Sequence, residues 1–186
     1  HLGRILLNHI KFAIILPNVQ MWDHADGSLR TEDDAGGTIM TRRELREHCF
    51  KMLFEADFYP REESAAQLEQ YFLVPEEEDT TPEGEEIVVH KVEMGENDQN
   101  YLKHRTEEII QRIPELDEKI NQVAEGWKTK RMGRVELAIL RLAVYEMKYD
   151  PDIPEKVAIN EAVELAKRFG PKEAPSFING ILAKLV

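Results

Sequence analysis

The fold is decided by the segment KVAINEAVELAKRFG at residues 156–170. Its apolar residues recur at three- and four-residue intervals, which places them on one face of a helix. That inner face is predicted to consist of Val157, Ile159, Ala162, Val163, Ala166 and Phe169. Pro154 precedes the segment and Gly170-Pro171 follows it. Since proline favours a helix start and glycine then proline favour a helix end, the segment predicts one amphipathic helix with defined limits.

The neighbouring segments extend this helical pattern in both directions. Residues 135–149 are apolar on almost every side, which is typical of the buried centre of a helical bundle. Further helices are predicted at 41–58, 62–74, 98–112, 114–128 and from about 175 to 185. The first should open with a capping box, because Thr41 lies three residues before Glu44. The sequence therefore predicts an all-α fold of about seven helices.

Three motifs in the C-terminal half carry a family resemblance. The segments AILRLAVYE at 138–146, KVAINEAVELAKRFG at 156–170 and SFINGIL at 176–182 stand in the order and at the spacing of the NusB family. These proteins are bacterial transcription antitermination factors, and the chain resembles them over residues about 40–186. The resemblance implies two packed three-helix bundles and a non-enzymatic module. It further implies binding to boxA RNA together with the ribosomal protein NusE, in a complex with RNA polymerase and other Nus factors.

Two other interpretations are compatible with the same motifs. One is the NusB-like domain that precedes an rRNA cytosine methyltransferase, although the sequence ends at Val186 without that enzyme. The other is a helical protein-binding adaptor without RNA recognition. The sequence does not distinguish a monomer from a homodimer. We find no nucleophile–base motif, phosphate loop or metal-ligand spacing, and therefore expect neither catalysis nor a metal or other cofactor.

The charge distribution restricts how the protein can bind nucleic acid. The formal net charge is -12, so RNA binding requires a local basic patch. Much of the acid lies within residues 75–98, which we predict to be a mobile acidic loop because so few apolar residues occur there. The single cysteine, Cys49, excludes an internal disulfide and favours a cytoplasmic protein without membrane association.

Two basic clusters are candidate RNA-binding sites. The first comprises Arg42, Arg43, Arg46 and Lys51 in the first predicted helix. Its three arginines lie within an arc of roughly 100° at the helix start, where cations oppose the macrodipole unless they meet an anion. The resemblance implies that this segment contacts boxA RNA, although Glu44 interrupts it; a solvated face is the alternative. The second cluster comprises Lys128, Lys130, Arg131 and Arg134, for which a solvated corner between helices is the alternative.

Four residues near these clusters have specific predictions. Trp127 continues the spacing of Leu116, Ile120 and Val123, so we predict a core anchor rather than a stacking platform. The resemblance places Phe169 and Phe177 near the RNA-binding face. We predict a core role for Phe169 and base stacking for Phe177. It also places Glu173 at an exposed turn, where it would tune RNA or NusE binding.

Residues 1–39 differ in character from the rest of the chain. They show no sustained helical period, and the tripeptide Ala35-Gly36-Gly37 can be encoded by a purine-rich ribosome-binding tract just upstream of the Met40 codon. The capping box at Thr41 follows that methionine directly. We therefore expect residues 1–39 to be a translated leader or non-native extension, poorly structured, with a genuine N-terminal extension as the alternative.

Overall fold

The computed structural model describes residues 40–73, 76–80, 86–91 and 94–186. The predictions for residues 1–39 lie outside these ranges. Within them the chain forms seven α-helices, as the sequence predicts. The helices are α1 (Arg42–Ala56), α2 (Ser64–Leu73), α3 (Glu96–Gln111), α4 (Ile113–Val123), α5 (Arg134–Tyr149), α6 (Glu155–Phe169) and α7 (Ala174–Leu182). Two short 3-10 turns, Arg61–Glu63 and Thr129–Arg131, precede α2 and α5.

A β-hairpin occupies part of the segment predicted as an acidic loop. Strand β1 (Glu76–Thr80) pairs antiparallel with β2 (Glu86–Lys91), with an irregularity in register between Glu77 and Glu78. Helix α3 already begins at Glu96, within the predicted loop 75–98. The prediction of a loop is therefore wrong for residues 76–80, 86–91 and 96–98.

Helix α1 begins as its sequence predicts. The Thr41 hydroxyl accepts a hydrogen bond from the Glu44 amide at 3.2 Å, and the Glu44 carboxylate accepts one from the Thr41 amide at 2.8 Å. Two of the amide donors that a helix start leaves unpaired are thereby satisfied. The Met40 amide also donates to Asp98 of α3 at 2.8 Å, which fixes the start of α1 against α3. This end of α1 is thus held in a defined position.

Helix α5 is the buried centre of the molecule. An unbroken run from Leu137 to Met147 is buried, as expected for a helix that is apolar on almost every side. One group of helices, α1 to α3, packs together, and a second group, α5 to α7, forms the other half. Helix α4 packs on α5, and contacts between α1 and α5 join the two halves. This arrangement matches the expected pair of three-helix bundles.

The inner face of α6 is rotated slightly from the predicted one. Its buried residues are Ala158, Ala162, Leu165, Ala166 and Phe169, whereas Val157 is exposed. Gly170 ends the helix in an extended conformation. A Cβ atom there would lie 2.6 Å from the Cβ of Ala174 and 2.9 Å from the Ala166 carbonyl oxygen. The glycine is therefore required by the close approach of α7, and not by a left-handed backbone.

The helices of the described part of the chain are too short or too polar for a membrane span.

Candidate nucleic-acid interface

Arg42 and Arg43 lie exposed in the first turn of α1. The Arg43 side chain is 73% exposed and pairs with Glu161 of α6 at 3.1 Å. Arg42 makes no hydrogen bond or ion pair with another described residue. Both guanidinium groups therefore reach solvent beside the positive end of the α1 dipole, where an anion is favoured.

Arg46 belongs to the same arc of α1 but faces the interior. It retains only 9% of its surface and donates to Glu146 of α5 at 2.9 and 3.1 Å. Its guanidinium also lies 3.4 Å from Glu161. Arg46 is therefore not exposed beside Arg42 and Arg43, contrary to its predicted RNA-binding role. One further helical turn carries this side chain under α5 and α6, where two carboxylates neutralise it.

The carboxylate of Glu146 is the centre of a buried ionic network. Besides Arg46 it accepts from Arg105 of α3 at 3.2 Å, and Arg105 also donates to Asp150 at 2.7 Å. Burial raises the pKa of Glu146, although the two arginines lower it. The network joins four helices, because Arg46 of α1 and Arg105 of α3 both pair with Glu146 of α5, and Arg46 also lies near Glu161 of α6. Its role is structural, because buried charges need such partners.

Lys51 is also buried, contrary to its predicted RNA-binding role. It retains 8% of its surface and pairs with Glu47 one turn earlier at 3.0 Å. Glu47 in addition accepts from Arg168 of α6. The ammonium group of Lys51 lies 5.7 Å from the centre of the Phe169 ring, which is itself buried against Phe50. The core role predicted for Phe169 is confirmed, and Lys51 belongs to the packing between α1 and α6.

The second basic cluster is exposed along the connector between α4 and α5. Lys128, Lys130 and Arg131 are all exposed. The Lys128 ammonium donates to the Asn121 carbonyl at 2.8 Å. Arg134 opens α5 with half of its side chain exposed, and its guanidinium donates to the Asp57 carbonyl at 3.0 Å. It also lies 4.2 Å from the centre of the Phe58 ring.

Trp127 lies on the surface of this connector and not in the core. It is 55% exposed, and its ring meets that of Phe177 edge-on at 6.3 Å between centres. The predicted core anchor is wrong because α4 ends at Val123, four residues before the tryptophan. Gly126 then adopts a left-handed conformation with φ of 75°, which turns the chain outward. Phe177 is half-buried and packs against the core. It therefore exposes less of its ring than a fully exposed stacking residue would.

Glu173 lies at an exposed turn, as expected. It precedes α7, and its carbonyl oxygen accepts from the Phe177 amide at 3.1 Å and from the Ser176 hydroxyl at 2.9 Å. These contacts involve the Glu173 backbone. The carboxylate is thus available to tune a surface interaction, which stays a prediction.

The two exposed basic regions lie at opposite ends of α1. Arg42 is its first residue, whereas Arg134 contacts Asp57, the residue that caps its C-terminus. A helix rises 1.5 Å per residue, so these points are about 22 Å apart along the axis. A single phosphate therefore cannot contact both Arg42 and Arg134.

The sequence and the fold of this chain are similar to those of known proteins. The model of the NusB family matches residues 43–186. The transcription antitermination protein NusB of Agathobacter rectalis is 46% identical over 145 residues, covering 78% of this chain and 98% of that protein. The same protein of Lachnoclostridium phytofermentans is 43% identical over 79% of this chain and 99% of its own length. Among solved structures, NusB of T. maritima has a TM-score of 0.63 at 28% identity, covering 78% of this chain and 90% of that one.

Proposed function

Because the chain belongs to the NusB family, we propose that it binds boxA RNA together with the ribosomal protein NusE. This family consists of non-enzymatic transcription antitermination proteins. In this proposal it acts in the cytoplasm, in the antitermination complex of RNA polymerase and other Nus factors. The observation that carries the RNA proposal is the exposed pair Arg42 and Arg43 at the start of α1.

Three features of this pair favour phosphate as its ligand. Guanidinium groups offer planar donors that match phosphate oxygens. The helix start beneath them is fixed by the Thr41 capping box and by the contact between Met40 and Asp98. In the absence of an anion, cations in the first turn are unfavourable next to the helix dipole. A bound phosphate removes that conflict, and the arginine pair contributes the local positive charge that RNA binding requires of a chain with a net charge of -12.

The exposed cations at Lys128, Arg131 and Arg134 supply a second set of contacts in this proposal. Arg134, which contacts Asp57, lies about 22 Å from Arg42 along α1, so the bound RNA would extend from one region to the other. Arg46 and Lys51 are left out of the interface, because their charges are buried and paired.

The decisive experiment measures binding of labelled boxA RNA by fluorescence anisotropy over a range of salt concentrations, with and without NusE. The variant Arg42→Ala/Arg43→Ala should bind more weakly, and the slope of log K against log salt should fall by about one for each phosphate that the protein no longer neutralises. The matched control is Lys103→Ala/Arg112→Ala, which also removes two cations. Those residues pair with Glu69 and Glu115 at other positions on the surface.

Two results would reject this assignment. If the arginine variant and the control lose affinity and slope equally, the effect is one of net charge and the proposed site is wrong. If the wild-type protein binds NusE but shows no salt-dependent binding of boxA RNA, the protein is an adaptor without RNA recognition.

A further inference from the structure

Trp127 is exposed, and hydrogen bonds hold the backbone next to it in place. The residues on its C-terminal side are held by Asn121 of α4, whose side-chain oxygen accepts from the Thr129 amide at 2.8 Å. The Asn121 amide group donates to the Thr129 hydroxyl at 3.1 Å, and its carbonyl accepts from Lys128 at 2.8 Å. Thr129 itself is buried. The large apolar ring thus stands in solvent on a connector whose backbone is pinned, so little conformational entropy would be lost when a ligand covers it.

The side chain is also supported from one side. Phe177 of α7 meets the indole edge-on, with its own ring half-buried against the core. An edge-on neighbour orients an aromatic ring and leaves the faces of that ring open to a third group. The exposed surface of Trp127 is therefore suited to stacking.

The charges around Trp127 indicate what kind of ligand would stack there. From Trp127 to Val135 the chain has four cations and no acidic residue. Glu125, the nearest acid before the tryptophan, pairs with Lys184 at 3.4 Å. An exposed tryptophan can also anchor a protein partner. The run of cations in an otherwise acidic chain favours a polyanion with flat apolar groups, which describes single-stranded RNA.

We propose that Trp127 is a base-stacking platform for single-stranded RNA, with Phe177 as its lateral support and Lys130 and Arg131 as neighbouring phosphate contacts. The inference rests on the proposed RNA-binding function and adds a contact at a position distinct from Arg42 and Arg43. Stacking on an aromatic ring tolerates any base, so Trp127 would contribute affinity rather than sequence recognition.

The test compares wild-type protein with Trp127→Leu, which keeps an apolar side chain and removes the ring. Because the indole is exposed, the variant should fold with an unchanged melting temperature. Its affinity for boxA RNA should fall roughly five- to 160-fold, the range expected when one base can no longer stack. The salt slope should stay at the wild-type value, since every cation that meets a phosphate is retained. Trp127→Phe should recover part of the affinity.

The control is Tyr101→Leu, which removes another exposed aromatic ring, located on α3 beside Arg105. It should leave RNA affinity unchanged. In a Trp22→Phe background, where Trp127 is the sole tryptophan, RNA should quench the indole emission, and the variant Arg42→Ala/Arg43→Ala should need more RNA for the same quenching.

The outcomes separate the two proposals. If wild-type protein binds boxA RNA with the expected salt dependence and Trp127→Leu binds it equally well, the stacking platform is wrong while the RNA-binding function stands. If Trp127→Leu weakens NusE binding and leaves RNA binding intact, the surface is a protein contact and the inference is overturned. If the wild-type protein binds no RNA at all, both proposals fail.

Discussion

Arg42 and Arg46 lie one turn apart on the same helix and have opposite environments. Arg42 reaches solvent, whereas Arg46 is closed in by Glu146 and Glu161. The difference arises from the neighbours of α1, because α5 and α6 cover its second turn and leave the first one open. A cluster of arginines in the sequence thus divides into an exposed pair and a buried member that joins α1 to α5 and α6.

The largest expected effect of a substitution is at Glu146, the centre of the buried network. Glu146→Ala leaves Arg46 without its main partner and Arg105 with Asp150 alone, and breaking a buried ion pair from one side costs about 3–5 kcal/mol of unfolding free energy. Urea denaturation measures this loss. The matched control is Glu164→Ala, which removes an exposed pair with Lys167 and should cost at most about 1 kcal/mol. Equal losses in the two variants would show that the network contributes no more than a surface pair.

Two phenylalanines allow a second, smaller comparison of the same kind. Phe169 is buried against Phe50 with ring centres 5.0 Å apart, and Phe169→Ala should cost about 3 kcal/mol or more. Phe177 is only half-buried, so Phe177→Ala should cost clearly less stability. Its main effect should instead be on RNA affinity, because Trp127 would no longer be supported from the side. Denaturation curves and RNA titrations of both variants test this; a Phe177→Ala protein that unfolds as readily as Phe169→Ala would identify Phe177 as a core residue.

Local patterns made the helices predictable from the sequence. The capping box at Thr41 and the uniformly apolar α5 are signals carried by residues a few positions apart, and both are confirmed. The burial of Arg46 depends on Glu146, which is 100 residues away in the chain. An arc on a helical wheel states which residues share a face, but not which part of that face another helix covers. The burial of Arg46 could therefore be predicted only with knowledge of the tertiary structure.

The error at Trp127 had a signal in the sequence. Extending the spacing of Leu116, Ile120 and Val123 to residue 127 assumed that α4 continues. Gly126 directly before the tryptophan, with lysine and arginine after it, indicates instead a turn followed by an exposed basic stretch. The pairing of β1 with β2 gave a weaker signal in the sequence, because glutamate is uncommon in strands and makes up much of β1.

The smallest predicted effect concerns the exposed pair itself. Arg42 lies in the first turn of α1 without an ion pair among the described residues, so its charge opposes the helix dipole. Arg42→Ala should therefore raise the unfolding free energy by about 0.3–1 kcal/mol at low ionic strength, and the gain should disappear in high salt as the charge is screened. Arg43→Ala is the matched control, since it relieves the same conflict but also removes the pair with Glu161, so the two effects should nearly cancel. Thermal unfolding of both variants at low and high salt measures the difference. If Arg42→Ala destabilises the protein, Arg42 contributes to the fold like Arg46, and the division of α1 into a ligand-binding turn and a structural turn is wrong.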